Sequence, residues 1–463
     1  ALLAAFFFIL QKMGKTFCAA VAVFYPTWLF YAGTTFAETL LVTLYLVICL
    51  SFLKYLQTNK RQYLALMLIT MLYMYCVHRR AIGVLVSGIL VLLIYSVRRG
   101  GKKVKYALVL ITGLAFVFAA GLLITNYWTS LMHAAAEDGL KNINSYAGQI
   151  RKILAVFTKE GLINLMISVS GKILYLGWAS FGLAYFGLAY TIKRVREKKY
   201  FPLFVLLSTL AALMISAIYT IYPGRVDTLT YGRYHEYVMP VLIMMGIKEL
   251  RKKSMSARGT ASGIAVMIVL EAALTWMVTI SLRRYGQRSF FGNTICGISW
   301  LYDPENFEPV SFYWRVYLVY IVLTAMVCMG IWWIGRRRGR EVFLMFLVTV
   351  QIIIGIRLST MYIDASRSAC YRDTLLMQRI QELNPDGSRE VFYSTEGEDY
   401  GNIGILQFMM RETQINIVKK DYDLDSQTQT DLLLIDFRSD QGSVLEEKYD
   451  SHITTGHFTL YYN

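Results

Sequence analysis

The chain is short of what most soluble enzymes use. Charged residues fill only 17% of its 463 positions. The six cysteines (Cys18, Cys49, Cys76, Cys296, Cys328 and Cys370) are scattered with no C-x-x-C pair, which argues against a zinc site. Several lie in apolar runs, where cysteine serves as a small hydrophobe; a Cys296–Cys370 disulfide stays open. The opening ALLAAFFFIL has no basic n-region and no small-residue cleavage site, which excludes a signal peptide. It reads as the tail of a helix that begins upstream. The last ninety or so residues hold no glycine-rich phosphate loop, catalytic triad or metal cluster. Asp421, Asp423 and Asp425 alternate there, but no glycine and distal glutamate complete a calcium loop.

What the chain does have is apolar length. It is 56% hydrophobic with a mean hydropathy of +0.44. Apolar runs at roughly 1–10, 16–31, 36–53, 62–77, 81–97, 105–126, 171–192, 200–222, 234–250, 259–281, 312–334 and 341–359 have the length of bilayer spans. Backbone in lipid must satisfy its own hydrogen bonds, so these runs predict helices. The expected fold class is a polytopic α-helical membrane protein with about 12 transmembrane helices and a small C-terminal extracytoplasmic α/β domain. The membrane domain covers 1–370, with external loops near 127–170 and 282–311; the second domain covers 371–463.

The formal charge of +16 does not point to nucleic acid, because the basic residues sit in short clusters between apolar runs. The six clusters begin at Lys12, Lys54, Arg98, Lys193, Lys248 and Arg336 and hold about half of the 47 Lys and Arg residues. They occupy every second connection, which the positive-inside rule makes cytoplasmic. The His78–Arg80 corner, the two long loops, the 224–240 stretch and the C-terminal domain then lie outside. Within the first loop, Ile153, Leu154, Phe157, Leu162, Leu165 and Met166 recur at helical spacing. They predict an amphipathic helix on the membrane surface or one packed on the bundle. In the last domain, EVFYS, INIV, DLLLIDF and FTLYY read as strands. RDTLLMQRIQEL reads as a helix stopped by Asn384-Pro385-Asp386-Gly387, and GNIGILQFMMRET as another helix.

The stretch GRVDTLTYGRYHEYVMP, Gly224 to Pro240, concentrates charge between two apolar runs. Ionisable residues at a membrane face pair with one another or line a wet cavity. Singly, each has a plainer reading. Arg225 and Asp227 form an interfacial salt bridge, the three tyrosines an aromatic belt, and Arg233 snorkels to headgroups. Glu38, three residues after Thr35, fits a capping box.

The order of the residues resembles polytopic glycosyltransferases of the GT-C type. Arg233-Tyr234 followed by Pro240, with Tyr231 and Gly232 before them, matches an R-Y pair and proline at the outer start of a late helix. Pro26, Thr34 or Thr35, and Glu38 match an outer hairpin, and Arg79 or Arg80 an outer arginine between two helices. The resemblance implies a membrane enzyme that moves a sugar from a polyprenyl-phosphate carrier to an extracytoplasmic glycan or protein acceptor in cell-envelope assembly. Its partners are membrane lipid, the polyprenyl-phosphate sugar donor and the acceptor, with no nucleic acid. It implies substrate binding by Arg79, Arg80, Arg225, Tyr231, Arg233, Tyr234 and His235. A forked guanidinium suits the phosphate, and a carboxylate serves as base. The family's usual catalytic acidic residue belongs to a first external loop, expected upstream of Ala1. Asp227 and Glu38 are therefore supporting candidates and the base is unassigned. No metal ligands are assigned; the cofactor is unknown, and in such enzymes a divalent metal ion sometimes neutralises the leaving phosphate. Three other readings stay open: a multi-pass transporter or flippase of a lipid-linked or anionic substrate, a polysaccharide polymerase or ligase, and a non-catalytic scaffold. A transporter would place polar groups near the bilayer midplane on broken helices, where this sequence looks apolar.

Overall fold

The computed structural model describes residues 25–33, 37–99, isolated positions from 105 to 127, 153–221, 225–285, 292–303, 306–334, 336, 342–395, 401–410, 413–419, 432–436, 439 and 442–463. It falls into two units, 1–358 and 359–463. The division comes before the helix that contains residue 370, so that helix belongs wholly to the second unit.

The first unit is helical. Its described elements are α1 (Pro26–Ala32), α2 (Glu38–Thr58), α3 (Arg61–Val77), α4 (Ile82–Arg99), α5 (Lys159–Ala179), α6 (Leu183–Arg196), α7 (Tyr200–Tyr219), α8 (Val226–Leu229), α9 (Met239–Leu250), α10 (Ala257–Tyr285), α11 (Cys296–Ser299), α12 (Pro309–Ile334) and α13 (Val342–Ser359). Among the described residues, seven helical segments are long and apolar enough to cross a membrane. That composition is of a membrane protein.

Of the twelve expected spans, these seven are shown and the full count is not. The runs at 1–10 and 105–126 and the calcium-loop aspartates lie outside the described residues, or nearly so. Helix α3 is a shorter apolar helix of 17 residues. The run at 234–250 is not one helix: a short 3-10 turn at Glu236–Val238 leads into α9, which has only 12 residues. The run at 171–192 divides between α5 and α6. Phe181 and Gly182 at the junction both have positive φ, +52° and +76°, and Ser180 Oγ donates to Leu176 O and accepts from Ala184 N, capping both pieces. The loop expected to end at 170 already holds α5 from Lys159. The first turns of α5 are largely exposed, and its burial begins at Ser168.

Helices α6 and α9 touch backbone to backbone. A Cβ on Gly187 would sit 2.1 Å from Leu242 O, and one on Gly246 2.0 Å from Leu183 O. Small residues permit such approaches between apolar helices. This contact fixes α9, and with it the charged stretch that precedes it. On α10, Val266, Val269, Leu270, Trp276 and Ile280 are exposed, an apolar outer face of the kind lipid covers.

The second unit is α/β. Helix α14 (Ala365–Leu383) precedes β1 (Val391–Thr395), α15 (Gly401–Met409), β2 (Ile415–Lys419), β3 (Leu432–Asp436), α16 (Gly442–Leu445), β4 (Ser451–Thr455) and β5 (Phe458–Tyr462). The strand order is β2-β1-β3-β5-β4; β1 runs parallel to β2 and β3, and β5 antiparallel to β3 and β4. Central β3 is an apolar run buried on both faces, as such a position demands. Leu376, Ile380, Val391, Leu406, Leu434 and Leu460 form the core beneath. Asn384 ends α14 and is tied by its side-chain amide to Arg389 N and O at 2.9 and 2.8 Å. Strand β4, SHITT, has no counterpart among the strands expected from the sequence. It is an edge strand whose burial alternates.

Candidate functional site

Helix starts and short turns of the first unit converge on a narrow cleft lined by Trp28, Tyr31, Glu38, Arg80, Arg233, Glu236 and Tyr237, among others. Glu38 opens α2, Arg80 lies in the 3-10 turn before α4, and Arg233 and Glu236 lie just ahead of α9. The site therefore sits at the level of these helix ends.

The Glu38 carboxylate joins two arginines far apart in sequence. Arg80 Nη2 donates to Oε1 at 2.5 Å, and Arg233 donates through Nε to Oε1 at 2.8 Å and through Nη2 to Oε2 at 3.4 Å. The carboxylate thus goes to guanidiniums, which displaces the capping-box reading; Thr35 lies outside the described residues. The Arg80 and Glu38 side chains are each 4% exposed and that of Arg233 is 24% exposed. Two guanidiniums share one carboxylate, so the trio keeps a net positive charge. The Arg80 guanidinium lies 4.6 Å from the centre of the Tyr234 ring, a cation–π distance. Tyr231 packs edge-on against Tyr234. His78 Nδ1 accepts from Arg80 N at 3.2 Å, and burial, with Arg80 next, lowers the His78 pKa to about 4. It is therefore neutral at pH 7 and able to accept.

The cleft has polar atoms left over. Arg80 Nε and Nη1, Trp28 Nε1, Tyr237 Oη and Glu236 Oε2 are buried without a hydrogen-bond partner among the described residues. All four residues line the cleft. Buried polar groups are nearly always bonded, and each orphan costs roughly 1–3 kcal/mol. Their meeting in one place marks where a polar guest would bind.

Glu236 was not singled out as a site residue from the sequence. It is fully buried, and its Oε1 accepts from Tyr25 Oη at 3.4 Å, Thr27 Oγ1 at 3.2 Å and Tyr175 Oη. Tyr175 Oη also accepts from Gly297 N at 2.9 Å. The loop near 282–311 thereby braces the site, since Gly232 N and Arg233 N both donate to Thr294 O. Burial pushes the Glu236 carboxyl up to about 7; the surrounding hydroxyls oppose this and Glu38 reinforces it.

Other expected residues lie elsewhere. Arg225 pairs with Asp227 at 2.6 Å, and buried Asp227 also accepts from Thr294 Oγ1 at 2.7 Å; neither lines the cleft. Lys172, wholly buried, donates to the carbonyls of Thr228 and Leu229 and so fastens the end of α8 to α5. Arg79 is exposed. His235 is buried behind the cleft, with Nδ1 3.5 Å from Ser216 Oγ. Burial, then Lys172 and Arg80, lowers its pKa to about 3, so it offers no positive charge to a phosphate at neutral pH. Cys296 is a buried free thiol, and Cys370 belongs to the second unit. Among the described residues no group of three or more His, Cys, Asp or Glu could hold a metal ion. No protein family model, curated protein or solved structure matches this chain.

Proposed function

We propose that this protein is a membrane glycosyltransferase that takes a sugar from a polyprenyl-phosphate carrier, with the carrier phosphate held by Arg80 and Arg233. The observation that carries the reading is the buried, half-used guanidinium of Arg80 beside Arg233, in a cleft at the level of helix ends. There a lipid tail can lie among the helices while its phosphate and sugar face water. The unpartnered Arg80 Nε and Nη1 and the Trp28 and Tyr237 donors suit the phosphate oxygens. In this reading the cleft and the C-terminal unit lie on the extracytoplasmic side, as the distribution of basic clusters implies.

The test is binding of a C55 polyprenyl phosphate to the full-length protein in nanodiscs. Arg233→Ala removes a charge-assisted bond worth about 1.5–3 kcal/mol, so affinity should fall roughly ten- to a hundred-fold. Arg233→Lys should recover only part of this, because a point charge cannot replace the fork. Arg225→Ala should bind as wild type does, since that side chain is spent on Asp227. Unchanged binding in Arg233→Ala would remove the phosphate reading.

A transporter or flippase is the second reading, and one observation favours it. Glu271, at the midpoint of α10, is wholly buried, and both its carboxylate oxygens lack a hydrogen-bond partner among the described residues. Helix α10 packs against α5, whose end at Ser180–Gly182 is broken. A buried carboxylate near a broken helix is what transporters place on their pathway. Substrate counterflow in sealed vesicles that disappears in Glu271→Gln would favour this reading over the enzyme.

A further inference from the structure

Two carboxylates line the cleft, and only one is neutralised by cations. Glu38 is spent on two arginines. Among the described residues Glu236 forms no ion pair: its Oε1 is fixed by three hydroxyls, from Tyr25, Thr27 and Tyr175, its Oε2 accepts no hydrogen bond of ordinary geometry, and the Tyr31 hydroxyl lies near enough to favour the charged form. The carboxylate plane is thus anchored through one oxygen, leaving the other for a guest. The anchoring tyrosines come from α5 and the residue before α1, and Tyr175 is itself held by the Gly297 amide. This is the support a reacting group needs to stay in place without reorganising.

Resting on the donor reading above, we infer that Glu236 is the general base that takes the proton of the acceptor hydroxyl. The acceptor O–H bond breaks and its proton passes to Glu236 Oε2. The acceptor oxygen forms a bond to the anomeric carbon. The bond from that carbon to the phosphate oxygen breaks, its electron pair staying on oxygen, and the polyprenyl phosphate leaves as an anion held by Arg80 and Arg233. The proton is later released to water. No redox partner is needed.

Geometry and protonation agree. The ionisable groups nearest Glu236 include Tyr25, Tyr31, Tyr175, Cys296 and Glu38; the cations Arg80 and Arg233 line the same cleft but are paired with Glu38, and His235, which packs on Tyr175, is neutral at pH 7. Burial raises its carboxyl to about 7, and a base titrating near the working pH is the most effective kind. The acid form cannot accept the proton, so turnover should rise with pH through about 7 and then level off.

The experiment uses the full-length protein in nanodiscs and in native membranes, which supply the acceptor. Binding is read with C55 polyprenyl phosphate, and turnover as release of polyprenyl phosphate from a panel of polyprenyl-phosphate-linked hexoses. Glu236→Gln should bind the lipid phosphate within about twofold of wild type yet lose turnover by roughly 10²–10⁴-fold, the range of general-base contributions. Glu236→Asp keeps a base with a displaced carboxyl and should retain measurable turnover with a shifted acid limb. Normal turnover and an unshifted pH profile in Glu236→Gln would overturn the inference while leaving the donor reading intact. Loss of lipid binding in the same variant would also overturn it, by making Glu236 part of the cleft wall. A wild type that binds no polyprenyl phosphate would overturn the donor reading, and this inference with it.

Discussion

Glu38 holds the cleft together at the cost of a buried ion pair. Removing the carboxylate leaves the Arg80 guanidinium, 4% exposed, without its counter-charge, and breaking one side of a buried pair costs about 3–5 kcal/mol. Glu38→Leu should therefore unfold at a distinctly lower temperature than wild type in detergent or nanodiscs. The double variant Glu38→Leu/Arg80→Leu should regain much of that loss, since the only charge then left without its partner is Arg233, whose side chain is 24% exposed and can reach water. Equal instability in both variants would mean that shape, not charge, holds the cleft. The contrasting residue is Glu271, whose two oxygens have no hydrogen-bond partner among the described residues. Glu271→Leu should be neutral or stabilising. Glu38, Arg80 and Arg233 were legible as polar residues at helix ends. Glu236 stood in the same charged stretch, but what distinguishes it comes from partners 211, 209 and 61 positions away. Local sequence carries no sign of such partners.

At the scale of elements, the sequence shows apolar length well and interruptions poorly. The strands EVFYS, INIV, DLLLIDF and FTLYY and the two long helices of the second unit were legible because alternation, β-branching and the Asn-Pro-Asp-Gly stop are local signals. The break between α5 and α6 was not. Trp178-Ala179-Ser180-Phe181-Gly182 is apolar enough to continue a span, and serine and glycine are common in membrane helices. Only the Gly182 φ of +76° and the Ser180 caps show the stop. The short α6 and α9 then depend on each other. Gly246→Ala would place a methyl group about 2.0 Å from Leu183 O, a distance backbone atoms can relieve only by separating the helices. The expected result is a lower folded yield and unfolding temperature, with weaker polyprenyl-phosphate binding, because α9 carries Arg233 and Glu236 at its head. As a control, Gly404→Ala in α15 meets nothing within 4 Å and should be neutral or slightly stabilising, since alanine favours a helix over glycine by about 1 kcal/mol. Similar losses in both variants would show that the α6–α9 contact has no special role.

At the scale of the whole molecule, sidedness depends on where the charge lies. The basic connections after α2, α6 and α9 include Lys54, Lys60, Arg61, Lys193 to Lys199 and Lys248 to Arg258. The cleft residues sit at the opposite ends of the neighbouring helices: Glu38 at the start of α2, Arg80 just past the end of α3, and Glu236 ahead of α9. A bilayer that keeps Lys and Arg on its cytoplasmic side would therefore present the cleft outside. A helix also carries its positive dipole end at its N-terminus, and α2, α4 and α9 all begin near the cleft, adding to its preference for anions. The sidedness can be tested in a background lacking the native cysteines, using a membrane-impermeant thiol reagent on intact cells. A cysteine at Pro385, in the exposed turn after α14, should react, and one at Lys199, between α6 and α7, should react only after lysis. Labelling of Lys199→Cys in intact cells together with protection of Pro385→Cys would invert the topology. The cleft would then open to the cytoplasm, where the donor sugar and its acceptor would have to be sought instead.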